Sequence, residues 1–171
     1  MNLYGTSHEG GTASIGTFFS VSPSGTETTL YSFDGTKGSY PDHGLILASD
    51  GNFYATTPIG GTSNLGTLYK MTSAGAITVL YNFNNANGSS NGAPPVQGTD
   101  GNFYGVTGCP IGSLTCHVYK MTPAGVVQLL ACSPVEDCSD RPKFFTAPLH
   151  YRDLSKASQR HCEVMLVDED C

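Results

Sequence analysis

Two adjacent pairs of residues carry the groups needed for acid–base or metal chemistry: His8 with Glu9, and Asp42 with His43. Imidazole and carboxylate side chains exchange protons near neutral pH and ligate divalent ions. All four interrupt an otherwise repeating chain, standing where later residues read Pro58, Ile59, Gly92 and Ala93. As a cluster they would suit a lyase or a glycoside-processing hydrolase; as solvated loop residues they would have no chemistry. No Ser–His–Asp or Cys–His constellation can be read beside them. The motif Ser49-Asp50-Gly51-Asn52 does not make a calcium loop. Such loops place several oxygen ligands at alternating positions before the glycine, and one carboxylate precedes Gly51 or Gly101 here. A phosphate-cradling loop would need a Lys and a following helix, and neither is present. Neither a cofactor nor a resident metal is expected.

The elements that would position these residues follow from a repeat. "SDGNFYATT" at residues 49–57 returns as "TDGNFYGVT" at 99–107, an offset of fifty. "GTFFSVSPSG" (16–25), "GTLYKMTSAG" (66–75) and "CHVYKMTPAG" (116–125) keep the same offset, as do "TLYSF" (29–33) and "VLYNF" (79–83). Periods of this length mean solenoids, propellers or arrays. Within one copy, residues 45–49, 52–57, 67–72 and 77–83 read as four strands, the last alternating apolar Ile77, Val79, Tyr81 and Phe83 with Thr78, Leu80 and Asn82. Asp50-Gly51 and Ser73-Ala74-Gly75 are tight turns, because glycine tolerates the positive φ such turns require. Four short antiparallel strands per copy predict an all-β fold, a partial β-propeller of about two and three-quarter blades. The copies span 1–50, 51–100 and 101–131, the first being partial because it opens at its second strand. The chain reads as a piece of a longer array.

Turns of a meander alternate between the two ends of a sheet. Both long connections of a copy, residues 58–66 and 84–95, therefore emerge at one end. Insertions that map to one face of a repeat protein mark the binding face. Gly60, Gly61, Asn64, Asn84, Asn85 and Asn87 are its candidate binding-loop residues, with a glycan or a surface protein as the partner. Too few blades for a closed ring would leave apolar blade faces and edges open, so self-association is expected.

The third copy departs from this plan. Cys109 and Cys116 align with Ile59 and Gly66 and bracket one long loop between neighbouring strands. Paired strand ends lie about 5 Å apart, within the reach of a disulfide. In an oxidising compartment the two would form a covalent clasp in place of the missing Gly-Gly doublet; otherwise they remain loop thiols. His117 beside Cys116 suggests a metal, but a fourth ligand would have to come from elsewhere.

Composition sets the remaining limits. The net charge of −6 and a pI near 5.1 exclude a nucleic-acid partner, which calls for a basic patch. No apolar run is long enough to span a bilayer, and no signal peptide opens the chain. Charge is uneven: 13 of the 22 charged residues, and four of the six cysteines, fall in residues 132–171. That tail is expected to be disordered or partly helical, with a short helix at about 148–163 from Leu149, Leu154, Ala157 and His161. Cys132, Cys138, Cys162 and Cys171 with His150 and His161 offer zinc ligands, at spacings matching no standard zinc motif. A tail of unrelated sequence joined to a truncated array is the other reading.

The segment "SDGNFYATTPIGGTSNLGTLYKMTSAGAITVLYNF" resembles the GloVer-type tandem repeat, a bacterial family of the pattern DGNFYGTT…GG…GTvFkitpsG…LysF. The resemblance covers residues 1–131. It implies propeller-like blades and a non-catalytic extracellular or cell-surface module for display or adhesion. Ala55 replaces the family's usual Gly, "CPIGSLTCH" replaces the Gly-Gly loop in the third copy, and the tail fits nothing in the family. A kelch blade shares the glycine doublet but expects a Trp, and this chain has none.

Overall fold

The computed structural model describes residues 1–41, 43–90, 93–108 and 117–131. Asp42, the Cys109–Cys116 loop, the zinc reading and the helix expected at 148–163 lie outside these residues. Among the described residues every regular element is a strand. β1 (Leu3–Ser7), β2 (Thr17–Val21) and β3 (Glu27–Ser32) form the first sheet. β4 (Ile46–Leu47), β5 (Phe53–Thr57), β6 (Thr67–Met71) and β7 (Ile77–Asn82) form the second. The third combines β8 (Ser89–Ser90), β9 (Val96–Gln97), β10 (Phe103–Gly108), β11 (His117–Met121) and β12 (Val127–Ala131). All pairs are antiparallel, and apart from β8, which pairs with β10, neighbours in each sheet are consecutive in the chain, as in successive propeller blades.

Register repeats at the tight-turn end of all three sheets, although β11 and β12 pair without the bulge of the first two, Val118 facing Leu130. Leu3 faces Val21, Phe53 faces Met71, and Phe103 faces Met121. A bulge between Phe18 and Phe19 recurs between Leu68 and Tyr69. Identical turn chemistry sets this. Gly25, Gly75 and Gly125 all have φ between +82° and +87°, and their amides donate to Ser22, Thr72 and Thr122 carbonyls at 2.8–2.9 Å.

The first strand of each copy is shorter than expected. Where the sequence predicts residues 45–49, only Ile46–Leu47 pair with β5. In the third sheet this position is split, β8 pairing with the Thr107–Gly108 end of β10 and β9 with the Phe103–Tyr104 end. Pro94 and Pro95 lie between the two pieces, and proline has no N–H for a ladder.

Sheets stack face to face, and the middle one is buried on both sides. Phe53, Ala55, Tyr69 and Met71 turn toward the first sheet and pack with Phe18 and Phe33. Tyr54 and Leu68 turn the other way and pack with Phe103, Tyr119 and Met121. The alternation of a strand thus serves two cores at once. Across both seams an aromatic pair recurs at the fifty-residue offset. Tyr4 lies 4.7 Å from Phe53, and Tyr54 stacks on Phe103 at 4.1 Å.

Candidate functional site

The described long connections meet at one end of the sheets, and backbone hydrogen bonds weld them together. The loop after β1 closes through Gly16 N–H to the Gly10 carbonyl (3.2 Å) and Ser14 N–H to Gly11 (3.3 Å). The loop after β5 repeats this with Gly66 to Gly60 (3.1 Å) and Asn64 to Gly61 (3.3 Å). The crossover at residues 34–41 then threads between them. Tyr40 N–H donates to the Ile15 carbonyl of the first loop (2.8 Å), and Ser39 N–H to Ile59 of the second (2.9 Å). Ser90 N–H bonds to the Leu65 carbonyl at 2.8 Å, continuing the pattern one copy on.

Several candidate binding residues are spent on this scaffold. Gly60 is buried with φ of +88°, and a Cβ there would meet the Gly35 carbonyl and Gly38 Cα at 2.7 Å. Gly61 sits with φ of +75°, and its amide donates to the Gly35 carbonyl at 3.0 Å. Asn64 Oδ1 accepts from Gly60 N–H at 3.1 Å. Asn84 Oδ1 accepts from the amides of Ala86 (2.9 Å) and Asn87 (3.1 Å), and Asn87 Nδ2 donates to the Tyr81 hydroxyl. Asp34, the earlier counterpart of Asn84, caps Thr36 through its amide and hydroxyl at 3.0 and 2.6 Å. The Thr36 hydroxyl holds the Asp34 carboxyl below the usual carboxylate range. What remains presented to solvent is a tip of short polar side chains, Thr62 and Ser63 on one loop and Asn85 on the next.

The repeat-breaking residues lie on the same end. His8, Glu9 and His43 are exposed. The His8 ring packs 4.8 Å from the Tyr40 ring, joining the first loop to the crossover that leads to His43. The Ser7 hydroxyl donates to the Glu9 carbonyl at 2.7 Å. Among the described residues no group of three or more His, Cys, Asp or Glu side chains is placed to hold a metal ion. Tyr40 was not foreseen as part of this cluster. Its sequence signal is that it stands where the next copy has Ser90; the structure adds a φ of +57°, an uncommon backbone state for tyrosine.

The groups with shifted pKa serve the fold. At the opposite end, Asp50 Oδ1 accepts from Asn52 N–H (3.0 Å), and Oδ2 from the Asn52 amide (2.8 Å) and the Tyr54 hydroxyl (2.9 Å). Partial burial opposes its ionisation, but these donors hold it below the ordinary range. Asp100 repeats the arrangement with Asn102 and Tyr104 and adds Lys120 Nζ at 3.1 Å; the Asn102 side chain contributes most to lowering its pKa. Burial raises the hydroxyls of Tyr54, Tyr69 and Tyr119 far above the usual tyrosine value. The DGNFY motif is therefore a hairpin clamp, its carboxylate gathering donors from two and four residues on.

Copy three changes the interior of the loop end. Ser7 with Thr17 (2.7 Å) and Thr57 with Thr67 (3.0 Å) are paired hydroxyls, and the Thr67 hydroxyl also donates to the Lys37 carbonyl at 2.9 Å. His117 takes the place of Thr67 in the third copy. Its amide keeps the bond to the Thr107 hydroxyl (3.0 Å), while its buried Nδ1 has no hydrogen-bond partner among the described residues.

Among the described residues no helix is long and apolar enough to cross a membrane. The model of the Gloeobacter/Verrucomicrobia repeat family matches residues 1–138, and the chain belongs to that family. No curated protein and no solved structure matches it.

Proposed function

We propose that this repeat module is a non-catalytic, cell-surface binding element that holds a glycan on its long-loop end. The observation that carries the reading is the loop end itself. Successive copies present the same hydrogen-bonded loop and crossover, so binding groups recur on a rigid frame at the spacing of the sheets. The exposed side chains there are hydroxyls and amides (Thr12, Ser14, Thr62, Ser63, Asn64, Asn85) with few charges, which suits a hydroxyl-rich ligand. Tyr40 and His8 add rings at one edge, where a sugar face can stack. Display at the cell surface follows from what the family resemblance implies. Repetition favours avidity, in which weak equivalent contacts along one polysaccharide add up.

The enzyme reading, a lyase or hydrolase using His8, Glu9, Asp42 and His43, requires shifted acids and bases gathered in one place. The carboxylates with lowered pKa among the described residues are hairpin and loop caps, and this favours the binding reading. The test is titration of the purified chain with bacterial surface polysaccharides by calorimetry, with parallel assay for new reducing ends and unsaturated products. Binding weakened several-fold by Ser63→Ala with Asn85→Ala, and no product, supports the proposal. Product formation abolished by His8→Ala would replace it with the enzyme reading, and absence of any glycan binding would remove it.

A further inference from the structure

The loops after β1 and β5 share one backbone and differ in what satisfies it. In the second loop the amides of Gly60, Gly61 and Thr62 each meet an oxygen: Asn64 Oδ1 at 3.1 Å, the Gly35 carbonyl at 3.0 Å and Asn82 Oδ1 at 3.0 Å. Asn64 lies in that loop and Asn82 ends β7 of the same sheet, so the copy supplies both of these acceptors itself. In the first loop the two positions are serines, Ser14 and Ser32, whose hydroxyls sit one bond closer to the backbone. Neither reaches across. Among the described residues no protein atom accepts from the amide of Gly10 or Thr12. Gly11 is the counterpart of Gly61, whose acceptor comes from the preceding crossover, and it is not counted as part of the site. The frame is otherwise unchanged. Gly16 N–H still closes on Gly10 and Ser14 N–H on Gly11, and φ is +57° at Ser14 against +54° at Asn64. A left-handed backbone suits asparagine better than serine. Serine at residue 14 therefore forgoes both the preferred backbone residue and a hydrogen bond, and leaves two neighbouring donors open to a ligand.

We infer that the first loop binds an acetamido sugar, an N-acetylhexosamine, the amides of Gly10 and Thr12 donating to its acetamido carbonyl and to a neighbouring sugar oxygen. The inference rests on the glycan reading of this loop end and names the sugar. The chemistry of the second loop selects the class. The oxygens that fill these donors there belong to side-chain amides, neutral acceptors of the same kind as an acetamido carbonyl. A uronate carboxylate fits less well, because Glu9 is exposed beside Gly10 and the chain carries a net charge of −6. The rings of His8 and Tyr40, 4.8 Å apart, border the same loop. Tyr40 is held there by its N–H on the carbonyl of Ile15, the residue after Ser14. The pair offers an apolar surface to a pyranose face or an acetamido methyl group. Pro58 and Ser90 stand at these two positions one copy on, so open donors and rings occur together in the first loop and both are missing from the second.

Calorimetry of the full chain with an N-acetylhexosamine oligosaccharide, a neutral hexose oligosaccharide of the same length and an oligouronate tests this, together with amide-proton NMR. The acetamido ligand is expected to bind tightest and to shift the Gly10 and Thr12 amide resonances. Ser14→Asn with Ser32→Asn installs the two oxygens that the second loop already carries, so circular dichroism should be unchanged. Affinity for the acetamido ligand should fall roughly tenfold or more, the loss of two amide donors. A hexose ligand bound equally well, a preference for the oligouronate, unmoved Gly10 and Thr12 resonances, or a double variant of unchanged affinity each overturns the inference and leaves the loop end a glycan site of another class. Absence of binding to all three ligands removes the glycan reading, and this inference with it.

Discussion

One motif position, occupied by tyrosine in all three copies, gives an internally controlled test of how the sheets are held. Tyr54 is fully buried, stacked on Phe103 at 4.1 Å, and donates to Asp50 at 2.9 Å. Tyr4 is half-buried with its ring 4.7 Å from Phe53, and Tyr104 is half-buried with Lys120 Nζ 5.5 Å from its ring centre and its hydroxyl on Asp100. Truncation of a buried aromatic to alanine removes its transfer free energy and leaves a cavity, about 3–5 kcal/mol in all. Tyr54→Ala should sit in that range. Tyr4→Ala loses roughly half a side chain's burial and no closed cavity forms, so about 1–2 kcal/mol is expected. Tyr104→Ala loses a partly exposed ring and a solvent-screened cation–π contact, about 1 kcal/mol. The chain has no Trp, so urea unfolding is followed by circular dichroism and tyrosine emission, at a concentration below self-association. Unfolding must also be shown to be cooperative, since repeat arrays can come apart piecewise. Three losses within about 0.5 kcal/mol of one another would mean the motif acts only inside its own hairpin. A Tyr54→Ala effect smaller than the other two would refute sheet stacking as the source of stability.

Three further outcomes are expected. Gly66→Ala forces a side chain onto φ of +92° with its Cβ 2.1 Å from the Thr57 carbonyl, and should cost at least about 2–3 kcal/mol in urea unfolding; a neutral result would contradict the loop geometry. Asp50 and Asp100 have depressed folded-state pKa values, so the stability they contribute is present above the unfolded value of about 3.9 and lost as pH falls through the folded one. Acid titration of the melting temperature should therefore fall below about pH 4, and Asp50→Asn with Asp100→Asn should flatten that fall; an unchanged acid limb would exclude the clamp as its cause. Protein prepared under oxidising conditions should yield a peptide pair linked through Cys109 and Cys116 on non-reducing proteolysis, and free thiols at both would end the clasp.

The period was legible because the residues that write it are the ones backbone geometry demands. Gly25, Gly75 and Gly125 sit in one turn conformation, and Phe53 with Met71 and Phe103 with Met121 keep one register. Strand order and the common end of the long loops follow from those. The first strand was less legible: Ile46–Leu47 look like the centre of a longer strand, and in the third sheet Pro94 and Pro95, which lack donors, separate β8 from β9. The candidate loop residues were ambiguous for a physical reason. Asn and Gly suit a binding loop, and they equally suit the caps and positive-φ turns that build one. Gly60, Asn64, Asn84 and Asn87 do the second job. This separates two kinds of position on the same loops. Residues that recur every fifty hold the frame, so their substitution should change stability before it changes binding. Other positions differ between copies and make no side-chain bond to the frame: His8 against Pro58, and Thr12-Ala13 against Thr62-Ser63. On the proposed binding reading, ligand preference is expected where the frame leaves the side chain undetermined, on these variable tips rather than on the motif that defines the repeat.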